Sequence, residues 1–313
     1  MNALFHGTLN LEEKDGYQIP HRFTSEQAKA VEDNDFFAHR VRCAASVTLE
    51  LYTQAENISM DYKFFLRTGV NSTFEVYTDG VLTHFIRDKE LADEGTLNFV
   101  LKTGKKHVEI YLPNYSEVGI KNFTVDGAYQ TVAQKATKVL FIGDSITQGG
   151  GPQRSGLTYV NVTKRALDYE VLNWGIGGYS FDEKIVAPSS FNPDKIIVSM
   201  GTNNRCFTAE KNKEMIEGFF TALHKHYGDT KTLVLLPPYY GADDPETMRK
   251  IFKDMVDCIL QTVARYPNIQ VASAYDMVPH LAEYYMDDFV HPNPLGMQEY
   301  GNNLVRTIQK MGF

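Results

Sequence analysis

The stretch KVLFIGDSITQGGG, residues 138–151, is an apolar run that stops at Gly-Asp-Ser and then passes into three glycines. An unbroken apolar segment of this length suits a strand covered on both faces, the habit of parallel sheets. Parallel strands need long crossovers, so helices should alternate with further apolar strands along the chain. They do. EVLNWG (170–175), KIIVSMG (195–201), KTLVLLPP (231–238) and NIQVASAYD (268–276) alternate with amphipathic segments near 158–167, 208–227, 245–266 and 294–310. The reading is an α/β fold, a flavodoxin-like three-layer α/β/α domain on a parallel five-stranded sheet. For a strand order of 2-1-3-4-5, the loops after the first three strands meet where the order reverses, which is where such sheets bind ligands.

Upstream of about residue 130 the periodicity changes. SVTLELYTQ, ISMDYKFFLRTG, TFEVYTDGVLTHFIRD and GTLNFVLKTGKKHVEIYLPN are rich in β-branched and aromatic residues and are punctuated by turns such as Thr78-Asp79-Gly80. In HVEIYLP, Val108, Ile110 and Leu112 share one face while Glu109 and Tyr111 share the other, as in a half-buried strand. No helical pattern is visible between residues 45 and 127. The expected organisation is an all-β sandwich as an accessory domain over 1–130, followed by the α/β domain over 131–313.

Bulk properties exclude several function classes. With 31 Lys and Arg against 39 Asp and Glu the formal charge is −8, and no basic stripe interleaved with aromatics is present, so nucleic acid is not expected as a partner. The longest apolar runs, such as Leu233 to Leu236, cannot cross a bilayer, and the opening MNALFHGTLNLEEKDG lacks the apolar core of a secretory leader. A soluble, cytoplasmic protein without a membrane partner is the expectation. Cys43, Cys206 and Cys258 are odd in number and widely spaced, and read as reduced, partly buried thiols with Cys206 as a small buried residue. No metal or cofactor is expected: no Gly-Lys-Ser/Thr follows the glycine run, and GIGGYS fails the dinucleotide pattern at Ser180. The oligomeric state is left open, a homo-oligomer included.

The unusual residues gather in four loops. Gly143-Asp144-Ser145 follows the first strand, NWGIGG (173–178) the second and GTNN (201–204) the third, while DDFVHPNPLG (287–296) precedes the last helix. Each loop alone is ordinary turn chemistry. Together they supply the parts of acyl transfer. A serine needs a base within hydrogen-bond reach, and the base needs a partner that fixes its tautomer. His291 and Asp288 fit those roles at a D-x-x-H spacing, with Pro292 restricting the backbone of His291 and Asn293-Pro294 opening the final helix. The N–H groups of Ser145 and Gly178 and the amide of Asn203 are the candidate oxyanion donors. Asp144, Trp174, Tyr179 and Tyr239 stand near strand ends and are candidate substrate-binding residues, the aromatic ones by stacking on a sugar ring. Asp144 also reads as a turn-fixing neighbour of Ser145, and the glycine run as room for substrate or for a moving loop.

FIGDSITQGGG, NWGIGG, GTNN and DDFVHP resemble, in this order, the four sequence blocks of the SGNH/GDSL hydrolases, and the resemblance spans about residues 138–313. It implies Ser145 as nucleophile, Gly178 and Asn203 as oxyanion donors, and Asp288 and His291 as the rest of the triad. One departure is Asn204, where many members carry aspartate. A β-rich module before such a domain is similar in architecture to two-domain carbohydrate esterases with a jelly-roll-like sandwich. The expected function is a serine ester hydrolase that forms an acyl-enzyme on short-chain, chiefly acetyl, esters of carbohydrates. Its partner would then be a small-molecule or oligosaccharide ester. The alternatives are an acyltransferase, a lipase or thioesterase of the same superfamily, and a non-catalytic carbohydrate-binding protein.

Overall fold

A computed structural model describes residues 1–68, 72–151, 153–242 and 245–313. The parallel sheet runs Tyr169–Gly175, Thr137–Gly143, Lys195–Ser199, Lys231–Leu236, Ile269–Ser273, which is the order 2-1-3-4-5. Because side chains alternate along a strand, Leu140 and Ile142 enter one apolar layer and Val139 and Phe141 the other. The first layer is closed by Ala209–Tyr227 and Pro245–Val263, through Phe219, Phe220 and Ile259; the second by Tyr159–Leu167 and Pro294–Met311, through Tyr159, Tyr300 and Leu304. Each fully buried large apolar side chain in these layers contributes roughly 1.5–3 kcal/mol. Helix starts carry their caps: Thr158 accepts from Asn161 N–H, Thr208 from Lys211 N–H, and Asn293 from Leu295 and Gly296 N–H with Pro294 in the first turn.

The preceding residues build a jelly-roll-like sandwich of two antiparallel sheets. One contains Phe5–His6, Thr48–Thr53, Lys106–Tyr111, Phe74–Thr78 and Val81–Ile86 in that order, with Tyr129–Thr131 beside Thr48–Thr53. The other orders Asn10–Lys14, Tyr17–His21, Ser116–Val125, Asn57–Arg67 and Glu94–Val100. Leu49, Leu51, Val76, Val108 and Ile110 from the first sheet meet Ile58, Met60, Phe99 and Ile120 from the second.

Two sequence expectations change here. Glu109 and Tyr111, read as an outward face, are buried together with Glu50, Glu75 and Tyr77. The outer face of that sheet lies against the α/β part, whose Lys164, Arg165 and Arg154 bond to Glu50, Tyr111 and Glu75. Charge complementarity, rather than apolar contact, explains why polar residues line a buried strand face. Second, two helices, Ser25–Ala30 and Asp35–Arg42, stand in the N-terminal stretch, started by a Thr24–Gln27 capping box and by Asn34. Phe23, Val31 and Val41 join Trp174 and Ile176 in one apolar layer of the parallel sheet. At six and eight residues the two helices are too short for helical periodicity to stand out in the sequence.

Cys206 is exposed, not buried as expected, while Cys43 is buried and Cys258 half-buried. Among the described residues no helix is long and apolar enough to cross a membrane, and no group of three or more His, Cys, Asp or Glu is placed to hold a metal ion.

Candidate active site

Strand Thr137–Gly143 delivers the chain to Asp144, which caps a single helical turn, Ser145–Gln148, by accepting the Ile146 N–H at 3.0 Å. Burial raises the Asp144 carboxyl to a pKa of about 6, against the opposing pull of the Ile146 N–H and of His291. Ser145 is the first residue of that turn, so its own N–H has no acceptor within the helix. Its hydroxyl donates to His291 Nε2 at 2.7 Å, and His291 Nδ1–H donates to Asp288 Oδ2 at 2.5 Å.

The loop that carries Asp288 and His291 is held by its own backbone. Asp288 Oδ1 accepts the N–H groups of both Val290 and His291 at 2.9 Å, and Phe289 turns the chain in the left-handed region at φ 53°. Met286 N–H donates to His291 O at 2.8 Å, closing the loop beneath the imidazole. Partial burial pushes the Asp288 carboxyl up, but the backbone N–H of His291, its imidazole and the Val290 N–H outweigh this and hold it below the usual range. Asp288 is thus a carboxylate that orients Nδ1–H and leaves Nε2 for the serine.

Gly178 is exposed at φ 78°, a conformation that favours glycine, and its N–H has no acceptor among the described residues. The half-buried Asn203 donates one amide hydrogen to Tyr179 O at 2.9 Å. That bond fixes the amide beside Gly178 and leaves its second hydrogen without an acceptor among the described residues. Asn204 lies fully buried behind it, accepting from Phe181 N–H and donating to Asn212 Oδ1 at 3.0 Å while Asn212 donates back to the Asn204 carbonyl. The departure from aspartate is matched here by an asparagine partner.

The residues proposed to bind substrate are placed differently. Trp174 is completely buried, stacked on Phe23 with its indole N–H donating to Arg22 O at 2.7 Å, so no ring face is left for a sugar. Tyr179 is buried edge-on to Phe37, with its hydroxyl donating to Asp182. Asp144 is buried and occupied as a cap. Tyr239 alone borders open space, a groove of about 460 Å³ shared with Met248, Phe252 and Tyr275, and it stacks on His280 at 4.1 Å. Its loop is stitched to the triad loop by Gly241 N–H to Phe289 O at 3.0 Å.

The glycine run is close packing rather than open room. Gly150 N–H donates to Ser145 O at 2.6 Å. A Cβ on Gly151 would stand 2.9 Å from that of His291.

The N-terminal stretch supplies parts of the site that no motif announced. The Tyr115 hydroxyl donates to Ser145 O at 3.3 Å, and Phe36 stands 2.9 Å from the point a Gly178 Cβ would occupy. Tyr115 carries no local signal in LPNYSE; Asn34 ahead of DFFAHRVR is a helix-start signal that could have exposed Phe36.

Known proteins with a similar chain bear on this geometry. An S-layer-related protein of Niallia circulans is 28% identical over 151 residues, 45% of this chain and 9% of that protein, so the chain spans under a tenth of the length of the curated relative it matches. Among solved structures, the salicylyl-acyltransferase SsfX3 from a tetracycline biosynthetic pathway superposes with a TM-score of 0.80 at 17% identity, over 98% of this chain and 94% of that one. A family two carbohydrate esterase from Cellvibrio japonicus gives 0.72 at 16%, over 99% and 95%. The acetyl xylan esterase Est2A from Butyrivibrio proteoclasticus gives 0.67 at 17%, over 100% and 97%. These likenesses establish a shared two-part fold, sandwich included. The model of the GDSL-like lipase/acylhydrolase family matches residues 141–299, and the chain belongs to that family.

Proposed function

We propose that the chain is a serine ester hydrolase with Ser145 as nucleophile, His291 as base and Asp288 as its orienting carboxylate. The observation that carries this is the hydrogen-bonded series Ser145 Oγ, His291 Nε2, His291 Nδ1, Asp288 Oδ2 at 2.7 and 2.5 Å, beside the Gly178 N–H, which has no acceptor among the described residues. Ser145 Oγ attacks the ester carbonyl as its proton passes to His291 Nε2, and the carbonyl oxygen takes the negative charge. The N–H groups of Ser145 and Gly178 and the free amide hydrogen of Asn203 stabilise that oxyanion. His291 returns the proton to the departing alcohol, leaving an acyl-serine, and water repeats the sequence to release the acid. No step calls for a metal or cofactor.

For the substrate we propose short-chain, chiefly acetyl, esters of carbohydrates, taken as small molecules or oligosaccharides. The sandwich supports this, since residues 1–130 act as an accessory domain beside a catalytic domain of 131–313 and reach the site through Tyr115 and Phe36. Of the proteins of the same architecture, one is named as an acetyl xylan esterase and another as a family two carbohydrate esterase. A second reading, transfer of the acyl group to an acceptor other than water, shares every residue of the mechanism, and one protein of the same fold is named as an acyltransferase. The test is p-nitrophenyl acetate turnover with phosphonate labelling of Ser145. Ser145→Ala should lose on the order of a million-fold in kcat. Turnover by that variant at the parent rate would overturn the mechanism, and products formed with added sugar alcohols separate transfer from hydrolysis.

A further inference from the structure

Arg40 stands in the last turn of helix Asp35–Arg42, beside Gly177 of the loop that carries Gly178. Its carbonyl is pinned by Arg22 Nη2 at 3.1 Å and Gln148 Nε2 at 3.4 Å, so its backbone has a fixed place. The guanidinium lies between the rings of Phe36 and Tyr115, 4.8 and 4.6 Å from their centroids. A Cβ on Gly177 would stand 3.3 Å from Arg40 Nε and 3.4 Å from the Tyr115 hydroxyl, the same hydroxyl that bonds to Ser145 O. Arg40 is thus one tyrosine ring away from the nucleophile, on the side of the Gly178 donor.

What sets it apart is that nothing answers its charge. Nε and Nη1 are buried without a hydrogen-bond partner, and no carboxylate pairs with it among the described residues. Glu117, which its helix approaches, is held by both Arg42 Nε and Nη2, at 2.9 and 2.6 Å. Arg22, nearby and fully buried, shows the contrast, since it donates to the carbonyls of Cys43, Asn173, Gly175 and Arg40. Two aromatic faces compensate part of the cost of an enclosed cation, but they leave the in-plane N–H donors unmet, and an unmet donor to a charged group is expensive. Nη2 is not one of those buried, unpartnered atoms, so it is the edge of the guanidinium through which a ligand can approach.

We propose that Arg40 is a specificity-determining residue that binds a carboxylate on the ester cleaved at Ser145, so the site takes acidic esters. The carboxylate belongs either to the acyl group or to the alcohol. A planar fork of donors matches a carboxylate, and the enclosing rings hold the fork in one orientation. The inference rests on Ser145 being the nucleophile of an ester hydrolase.

The test compares two matched ester pairs. The acyl arm sets mono-p-nitrophenyl adipate against p-nitrophenyl hexanoate; the alcohol arm sets an acetylated methyl glucuronoside against the acetylated methyl glucoside. The parent should favour the acidic member of one pair by about tenfold to a hundredfold in kcat/KM, chiefly through KM, the range of a hydrogen bond to a charged group. Arg40→Met should bring that ratio near one, and Arg40→Lys should keep part of it. A parent without preference in either pair, a preference that survives Arg40→Met, or an equal loss on all four esters with the ratios unchanged would overturn the assignment while leaving the hydrolase intact. If the parent cleaves none of the four, the hydrolase reading fails, and calorimetric titration of Ser145→Ala decides Arg40 separately. Binding of glucuronate or adipate that disappears in Ser145→Ala/Arg40→Met supports the carboxylate site, and absence of binding overturns it.

Discussion

His291 meets Ser145 across 146 positions of chain, with Nε2 2.7 Å from Oγ, because the loop before the last helix folds back over the end of the first parallel strand. Asp288 holds that imidazole through Nδ1–H. Asp288→Asn should keep the two bonds from Val290 and His291 N–H but present an amide that can stabilise the wrong tautomer. A fall of about ten-thousand-fold in kcat is expected for p-nitrophenyl acetate, the scale seen when a triad carboxylate becomes an amide. Because the folded Asp288 carboxyl sits below its usual range, its contribution to stability is present above the unfolded value and is lost as pH falls through the lower folded one. Melting curves of parent and Asp288→Asn should therefore draw together at strongly acid pH and separate at neutral pH.

Gly151 lets the chain pass behind the triad base at φ 97°, with His291 Cβ 2.9 Å from where its own Cβ would lie. Gly151→Ala should displace the imidazole and lower kcat by roughly ten- to a hundred-fold, since small misplacements of a catalytic group are costly. Gly104→Ala is the control. Gly104 has φ 96° with nothing within 4 Å, so alanine there carries the left-handed backbone penalty of about 1–2 kcal/mol without touching the site. Equal losses of kcat in both variants would show that the contact with His291 does not matter.

The parts of the molecule legible in the sequence are those written in strong periodicity or in motifs. The five apolar strands and their helices are legible in Val139 to Ile142 and its repeats, the D-x-x-H spacing places Asp288 and His291 together, and the order 2-1-3-4-5, a premise of the sequence reading, is the order of the sheet. Burial of Glu109 and Tyr111 was not legible, since alternation reports one apolar face and cannot say that another domain's Lys164 and Arg165 will cover the second. Trp174 misled for a related reason: a strand-end aromatic looks alike whether it faces substrate or, as here, Phe23. Tyr115 and Arg40 reach the site by tertiary packing of the N-terminal stretch, which leaves no mark in local sequence.

Asp144 offers a test by pH. Its carboxyl, buried and raised to about 6, is easier to keep protonated in the folded chain than in the unfolded one, so stability is greatest below the unfolded value and declines as pH rises to about 6. The ionised carboxylate therefore carries a penalty at neutral pH. Asp144→Asn keeps an oxygen for the Ile146 N–H and removes the ionisation, so it should raise the melting temperature at pH 8 and change it little at pH 4. A variant that is destabilised at pH 8 would mean that the ionised carboxylate is stabilising where it sits. That outcome would point to the hydrogen bond from Ile146 N–H outweighing burial.

Glu50 and Lys164 tie the sandwich to the helix behind the nucleophile strand. Lys164 Nζ donates to Glu50 Oε1 at 2.6 Å and to Thr48 Oγ1 at 3.0 Å, with both charged side chains at most 5% exposed. Burial opposes the charge on each. Even so, Glu50 and Glu109 hold Lys164 above its usual range, while Lys164, His107 and His6 hold Glu50 below its own. Removing one partner strands the other. Lys164→Met should cost about 3–5 kcal/mol in urea unfolding, the penalty of an uncompensated buried charge, whereas Glu50→Leu with Lys164→Met should recover most of it. Because the stranded Glu50 would be driven to protonate, the single variant should also regain stability as pH is lowered toward the carboxylate range, and the double variant should not. A cost below about 1 kcal/mol for Lys164→Met would place this pair among the weak surface contacts. The link between the sandwich and the α/β part would then rest on Arg165 with Tyr111 and on Arg154 with Glu75.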